Sequence, residues 1–121
     1  GIYVFLRFLE ILSNDPNMIE ELMELPKTHV TPEIDINFPK DNHFKFIEAF
    51  KKKSVFTNYT VSDLDGIKIS NSESWGLIRA SNTSPKITLR FESLSEKGLI
   101  SIKNEIKNAI LEIDNTLELP F

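Results

Sequence analysis

The chain has 121 residues, of which 40% are hydrophobic and 26% are charged, and it contains no cysteine. A chain of this length and composition can bury one ordinary core. The lack of cysteine excludes disulfides and thiolate metal sites. A formal net charge of −4 argues against a nucleic-acid partner, because such proteins need a basic surface to neutralise phosphates. No apolar run reaches the roughly 20 residues of a membrane span, so we expect no membrane partner either.

The first 27 residues are predicted to form two helices. Apolar residues at helical spacing predict a helix over residues 2–13, and Asp15-Pro16 predicts the N-cap and first turn of a second helix that ends at Leu25. These helices carry more apolar surface than they can cover for each other. The chain also begins inside an apolar segment without an initiator Met, so we expect it to be a piece of a longer polypeptide. Residues 28–32, which include Thr31 and Pro32, predict a linker.

Residues 33–121 show the pattern of an α+β domain. Strict alternation over Glu33–Phe38 predicts a strand, and a turn at Pro39–Asn42 opens a helix that runs to about Lys53. The further predicted strands are Ile67–Ile69, Trp75–Ala80 and Lys86–Glu92, and Val55–Val61 could form another. We therefore expect a roughly four-stranded antiparallel sheet with two helices on one face. In Lys86–Glu92 the side chains of Ile87, Leu89 and Phe91 should face the core, while the other face of the sheet stays wet.

The last helix has the clearest local pattern. The run Ser93-Leu94-Ser95-Glu96 predicts a capping box, with Ser93 as the N-cap and Glu96 reaching back to it. An apolar stripe from Leu99 to Ile113 follows at helical spacing.

Other charged and polar residues have ordinary structural interpretations. Lys51–Lys53 fall in the last turn of the preceding helix, where cations complement the helix dipole. His29 and His43 lack a second histidine at a metal-ligand spacing, so we interpret both as incidental surface or helix-edge residues. Asp63 and Asp65 are interpreted as turn caps.

The segment between the last two strands is the strongest candidate for a binding site. Ser81–Ser84 are turn formers with hydrogen-bonding side chains, and Pro85 prevents strand pairing at its position. Backbone N–H groups in a tight turn, polar side chains and a nearby guanidinium together suit an anion such as phosphate. The residues that could contact it are Arg79, Ser81, Asn82, Thr83 and Ser84. From this chemistry alone, a polar hairpin turn with an arginine on its rim remains the alternative.

The run Trp75–Pro85, with the following Leu89-Arg90-Phe91-Glu92, resembles the phosphate-binding loop and next strand of the α-D-phosphohexomutases, and most closely their phosphomannomutase/phosphoglucomutase branch. Further stretches that resemble the family are Leu64–Ile69, Ser95–Leu99, Gly1–Tyr3 and Pro120–Phe121. Related branches tend to carry Gly at the position of Asn82 and Glu at the position of Ser84, which favours the mannose/glucose branch.

The resemblance implies a domain organisation. Residues 1–27 would be the helical tail of a third, α/β domain, and residues 28–32 would be the linker and hinge. Residues 33–121 would be the fourth, phosphate-binding domain, whose architecture is described as TATA-box-binding-protein-like. That description refers to the fold alone and does not imply DNA binding.

The resemblance also implies a function. The full cytoplasmic enzyme would interconvert hexose 6-phosphate and hexose 1-phosphate through a bisphosphate and an enzyme phosphoserine, with Mg²⁺ in another domain. Arg79, Ser81, Asn82 and Thr83 match the family's phosphate contacts, and Ser84 is a weaker candidate. The serine, magnesium and sugar-reading loops are absent here, so no catalytic or metal residue is expected and the chain alone should be inactive. Its partners would be hexose phosphates and the missing domains of the same enzyme.

Two other functions remain as alternatives. One is a stand-alone phosphosugar-binding module without catalysis, and the other is a structural α+β interaction domain whose loop binds nothing. The preference for mannose or glucose phosphate cannot be predicted, because it depends on the missing third domain.

Overall fold

The computed structural model describes residues 1–15, 17–39 and 42–121. The elements in chain order are α1 (Ile2–Asn14), α2 (Met18–Met23), β1 (His29–Val30), β2 (Ile34–Asn37), α3 (Asn42–Lys53), β3 (Thr60–Ser62), β4 (Ile67–Ser70), β5 (Ser74–Ala80), β6 (Lys86–Ser93) and α4 (Glu96–Ile113). The α+β prediction is confirmed. Among the helices of these residues, none is both long enough and apolar enough to span a membrane.

The sheet is antiparallel and has six strands in the described part of the chain, two more than expected. The strand order is β1-β6-β5-β4-β3, and β2 also pairs with β6. β1 and β2 lie one after the other along the same edge of β6, with His29 opposite Ser93 and Ile34 opposite Leu89. The β5–β6 hairpin is paired along its whole length, from Ser74 opposite Ser93 to Ala80 opposite Ile87. The loop between β5 and β6 is therefore anchored by two strands that lie in the interior of the sheet.

The core lies between the sheet and the two long helices α3 and α4. The side chains of Ile87, Leu89 and Phe91 are fully buried, as their alternation in the sequence predicted. The helices contribute the buried residues Phe46, Phe50, Ile102, Ile106 and Ile110. Burying each of these side chains stabilises the fold by about 1.5–3 kcal/mol.

The start of α4 differs from the prediction. Ser95, and not Ser93, is the N-cap, and its Oγ accepts a hydrogen bond from Gly98 N at 3.0 Å. Ser93 is buried and still belongs to β6, where it lies opposite both Ser74 and His29. The prediction of Ser93 as N-cap was wrong because strand pairing already fixes its backbone. Its Oγ accepts a hydrogen bond from Ser95 N at 3.2 Å.

Two other predicted elements are shorter than expected. α2 ends at Met23 rather than Leu25, and its predicted first-turn residue Pro16 lies outside the described residues. The strand predicted over Val55–Val61 is limited to β3, and Val55 is exposed. In the predicted turn before α3, Lys40 and Asp41 are likewise outside the described residues.

The predicted linker is partly joined to the sheet. His29 and Val30 form β1, and Thr31 is buried beside it. Thr31 N donates to Phe91 O at 3.0 Å, and Thr31 Oγ1 accepts from Phe91 N at 3.1 Å. α1 and α2, by contrast, bury none of their described residues. The hinge in this segment stays a prediction.

Candidate phosphate-binding loop

The loop that follows β5 is closed by backbone hydrogen bonds at its base. Ser81 N donates to Lys86 O at 2.9 Å, and Lys86 N donates to Ser84 O at 2.8 Å. Phe38 N, which follows β2, donates to Pro85 O at 2.8 Å. Both ends of the loop are therefore fixed, by hydrogen bonds within the hairpin and by the residue that follows β2.

The Ser81 side chain organises the inside of the loop. Its Oγ lies 3.3 Å from both Thr83 N and Ser84 N, which donate to it, and 3.4 Å from Thr83 Oγ1. These distances are long for N–H···O bonds, so a stronger, charged acceptor could take over the donors. Asn82 and Thr83 are exposed, while Ser81 and Ser84 are half-buried. The fold thus brings together the polar atoms that the sequence suggested for an anion.

Arg79 lies two residues before the loop, near the end of β5, and its side chain is 44% exposed. Its guanidinium lies 3.5 Å from Glu33 Oε1 and 3.6 Å from Asp65 Oδ2. Ion pairs between exposed side chains contribute little to stability. The two carboxylates are therefore weak partners, and the guanidinium stays able to bind an anion.

Three carboxylates make ion pairs that the sequence did not indicate. Asp65 pairs with Arg79 and Asp63 pairs with Lys51, contacts that their interpretation as turn caps did not include. The Lys51 ammonium lowers the pKa of Asp63, chiefly through their hydrogen bond. For Glu33, which pairs with Arg79, the sequence predicted only the start of a strand. Pairs between residues so far apart in sequence leave no local signal.

The turn at Gly66 packs directly against Arg79. Gly66 has φ of +77°, and a Cβ placed there would lie 2.6 Å from Arg79 Cβ and 2.4 Å from Ile78 O. Only glycine combines this backbone conformation with so close a contact. The β3–β4 side of the sheet therefore helps to place the arginine.

His43 is not an incidental surface or helix-edge residue, so that interpretation was wrong. It lies in the first turn of α3 and is only 3% exposed. Its Nε2 is 3.1 Å from Ser81 O. A single histidine gives no pattern that would reveal this contact from sequence, because its partner is 38 positions away.

Lys86, at the end of the loop, is already neutralised. Asp35 accepts hydrogen bonds from Lys86 Nζ at 2.7 Å and from Thr88 Oγ1 at 2.9 Å. The Lys86 bond, and after it the Thr88 bond, lower the pKa of Asp35. This pairing also explains why Thr88 is buried although it was predicted to lie on the wet face. Of the two cations that flank the loop, Arg79 and Lys86, Arg79 is thus the one held only by loose contacts.

The remaining candidates lie outside the loop. Arg90 is exposed and lines a shallow cavity of about 220 Å³ on the wet face, together with Trp75 and Arg79. His29 is exposed in β1. Within residues 1–15, 17–39 and 42–121, no three His, Asp or Glu side chains gather closely enough to hold a metal ion.

The fold and the loop define a two-layer α+β domain with a polar hairpin loop at one end of its sheet. The family described as "Phosphoglucomutase/phosphomannomutase, C-terminal domain" matches residues 35–109. The chain therefore belongs to the phosphoglucomutase/phosphomannomutase family.

Individual relatives agree with this assignment. The chain is 38% identical over 122 aligned positions to a phosphomannomutase/phosphoglucomutase of Pseudomonas aeruginosa, covering 100% of the chain and 26% of that protein. It is 36% identical to a phosphoglucomutase of Neisseria meningitidis serogroup B, covering 99% of the chain and 26% of that protein. A crystal structure of a phosphoglucomutase/phosphomannomutase family protein from Burkholderia thailandensis superposes with a TM-score of 0.86 at 30% identity, over 100% of this chain and 25% of that one. The chain thus spans about a quarter of the length of these relatives.

Proposed function

We propose that this chain is the substrate-phosphate-binding domain of a phosphohexomutase, joined to the helical tail of the domain before it. The whole enzyme would interconvert hexose 1-phosphate and hexose 6-phosphate through a bisphosphate and an enzyme phosphoserine. Membership of the family supports this role. The observation that carries it is the loosely paired guanidinium of Arg79, two residues before a loop of clustered donors, Ser81–Ser84.

The loop would hold the phosphate that does not react. Arg79 offers a charged fork, Ser81 and Thr83 offer hydroxyl groups, and Asn82 offers an amide, with Ser84 as a further contact. Phosphoryl transfer depends mainly on positioning and on electrostatic stabilisation. A clamp that binds only the phosphate group could accept the substrate in either orientation, as the reaction requires.

The proposal assigns the chemical step to other parts of the enzyme. Mg²⁺ would be bound in another domain and would supply charge neutralisation there, and the phosphoserine and the sugar-reading loop would also lie outside this chain. The other domains and the hexose phosphates are then its partners, in the cytoplasm. Rotation of this domain about the N-terminal end of the predicted linker, residues 28–32, would close the cleft over the substrate.

A coupled assay of the longer enzyme that contains this chain tests the proposal, with glucose 1-phosphate as substrate. Arg79→Ala should lower kcat/KM by roughly 100-fold, because a charged phosphate contact is lost. Lys97→Ala removes the same charge from the exposed first turn of α4, at the other end of the sheet, and should leave kcat/KM unchanged. Equal activity of Arg79→Ala and the wild type would contradict the proposal. Phosphate binding without any turnover would instead favour a non-catalytic phosphosugar-binding module.

A further inference from the structure

A buried histidine lies directly beneath the candidate loop. His43 is 3% exposed, and its Nε2 lies 3.1 Å from the carbonyl oxygen of Ser81. The other ring nitrogen, Nδ1, is also buried and has no hydrogen-bond partner among the described residues. The ring of Phe44 lies beside it, with centroids 4.1 Å apart.

These contacts define which ring nitrogen carries the proton. A carbonyl oxygen only accepts hydrogen bonds, so Nε2 of His43 must be the protonated nitrogen. In a neutral ring, Nδ1 is then a buried acceptor without a partner among the described residues, which is unfavourable. An apolar side chain would fill the same space without that cost. The hydrogen bond to Ser81 is therefore the feature that distinguishes His43 from a simple core residue.

This hydrogen bond fixes the direction of one peptide unit of the loop. The Ser81 carbonyl points inward, to His43. In a trans peptide the C=O and the following N–H point in opposite directions, so the N–H of Asn82 points out of the loop. In the part of the chain that the structure describes, no protein acceptor takes this N–H.

Two further carbonyls of the loop accept hydrogen bonds from the backbone. Ser84 O accepts from Lys86 N, and Pro85 O accepts from Phe38 N, each at 2.8 Å. Ser81 O is the one held by a side chain. Because carbonyl oxygens repel an anion, a peptide unit whose carbonyl is turned inward presents its N–H to the ligand.

We propose that His43 is a positioning residue for phosphate binding, which rests on the proposed function of the loop. Its Nε2–H holds the Ser81 carbonyl inward and thereby aims the Asn82 N–H at the substrate's phosphate. His43 itself does not touch the phosphate. It acts through the peptide between Ser81 and Asn82.

The test uses ¹⁵N-labelled chain, inorganic phosphate as the probe, and two variants of His43. His43→Gln keeps an amide N–H near the position of Nε2, whereas His43→Leu keeps the apolar volume and removes the donor. Ile110→Val, a small core change in α4, serves as a control for reduced stability. His43→Leu should weaken phosphate binding roughly tenfold and shift the Asn82 amide signal even without ligand. The affinity of His43→Gln for phosphate should lie within about threefold of the wild-type value. Ile110→Val should bind phosphate with the wild-type affinity.

Separate readouts distinguish failure of this inference from failure of the proposed function. A ¹H–¹⁵N spectrum of the ring in the wild type should show His43 protonated at Nε2, and protonation at Nδ1 alone would overturn the inference. Wild-type binding at the loop with unchanged affinity in His43→Leu would also overturn it. If phosphate leaves the Asn82 amide of the wild type unshifted, the phosphate site itself is wrong, and the role of His43 falls with it. If His43→Leu does not fold, loss of binding in the folded His43→Gln decides against the inference.

Discussion

At the scale of single residues, we expect the candidate site to depend on competition between carboxylates and ligand for Arg79. Its guanidinium has two carboxylate neighbours, Glu33 and Asp65, at distances longer than those of a strong charge-assisted bond. A phosphate dianion would offer more charge and bidentate geometry. We expect the arginine to exchange one or both carboxylates for the ligand.

Removing one competing carboxylate should therefore strengthen phosphate binding. Glu33→Gln keeps the size of the side chain and removes its charge, so the affinity for phosphate should rise about two- to fivefold, the range that exposed ion pairs allow. Glu20→Gln makes the same charge change in the exposed helix α2 and should have no effect. Calorimetric titration with phosphate measures both. A weaker affinity of Glu33→Gln would mean that Glu33 orients Arg79 rather than competing for it.

The Asp35–Lys86 pair beside the loop predicts a dependence of stability on pH. The folded-state pKa of Asp35 lies below its usual value of 3.8, because of the bonds from Lys86 and then Thr88. The carboxylate therefore stabilises the fold above that value, and this contribution is lost as the pH falls through the folded-state pKa.

Asp35→Asn should lower the free energy of unfolding at neutral pH by about 0.2–1 kcal/mol. Its stability should then fall less steeply than that of the wild type below about pH 4. Urea unfolding at neutral and acid pH measures this, and parallel pH profiles would contradict it.

At the scale of elements, the turn before β4 supports the site through Gly66. Gly66→Ala should lower the free energy of unfolding by about 2 kcal/mol or more, because a positive φ alone costs about 1–2 kcal/mol and the new Cβ would meet Ile78 O and Arg79 Cβ. Phosphate binding should weaken as well, since Arg79 must move. Gly1→Ala, with nothing within 4 Å of the new Cβ, is the matched control. Chemical denaturation of both variants gives the comparison, and equal stabilities would rule out a packed turn at Gly66.

Local patterns predicted the elements whose side chains alternate or repeat, and failed where distant residues decide. The inward face of β6 followed directly from Ile87, Leu89 and Phe91. Ser93 matched a capping pattern, yet its pairing with two other strands keeps it in the sheet. The contact of His43 with Ser81 depends on how α3 packs against the hairpin, which the sequence around His43 does not encode.

At the scale of the whole molecule, the domain that carries the site extends into the predicted linker. β1 has only two residues and no alternation, so it could not be recognised without its partner β6. Thr31 adds two hydrogen bonds with Phe91. The resemblance to a known family, in contrast, predicted the two-layer architecture correctly. We expect any rotation of this domain to occur before His29.

Truncation tests this boundary. A chain that begins at Thr28 keeps β1 and Thr31, whereas one that begins at Glu33 loses both. The shorter chain should melt at least 4–8 °C lower than the longer one, since each kcal/mol lost corresponds to about that change in Tm for a domain of this size. Removing residues 1–27 alone should change Tm little, because α1 and α2 bury none of their described residues. Equal Tm values for the two truncated chains would mean that β1 contributes nothing to the domain.

The central claim is that the loop Ser81–Ser84 with Arg79 binds the phosphate of a sugar. An amide NMR titration of the chain with glucose 1-phosphate tests it most directly, with Arg79→Ala measured in parallel. A single clamp without its partner domains should bind with a Kd on the order of millimolar. The expected result is a set of shifts confined to residues 79–84 that is absent in Arg79→Ala. Shifts elsewhere, or the same shifts in both proteins, would contradict the claim.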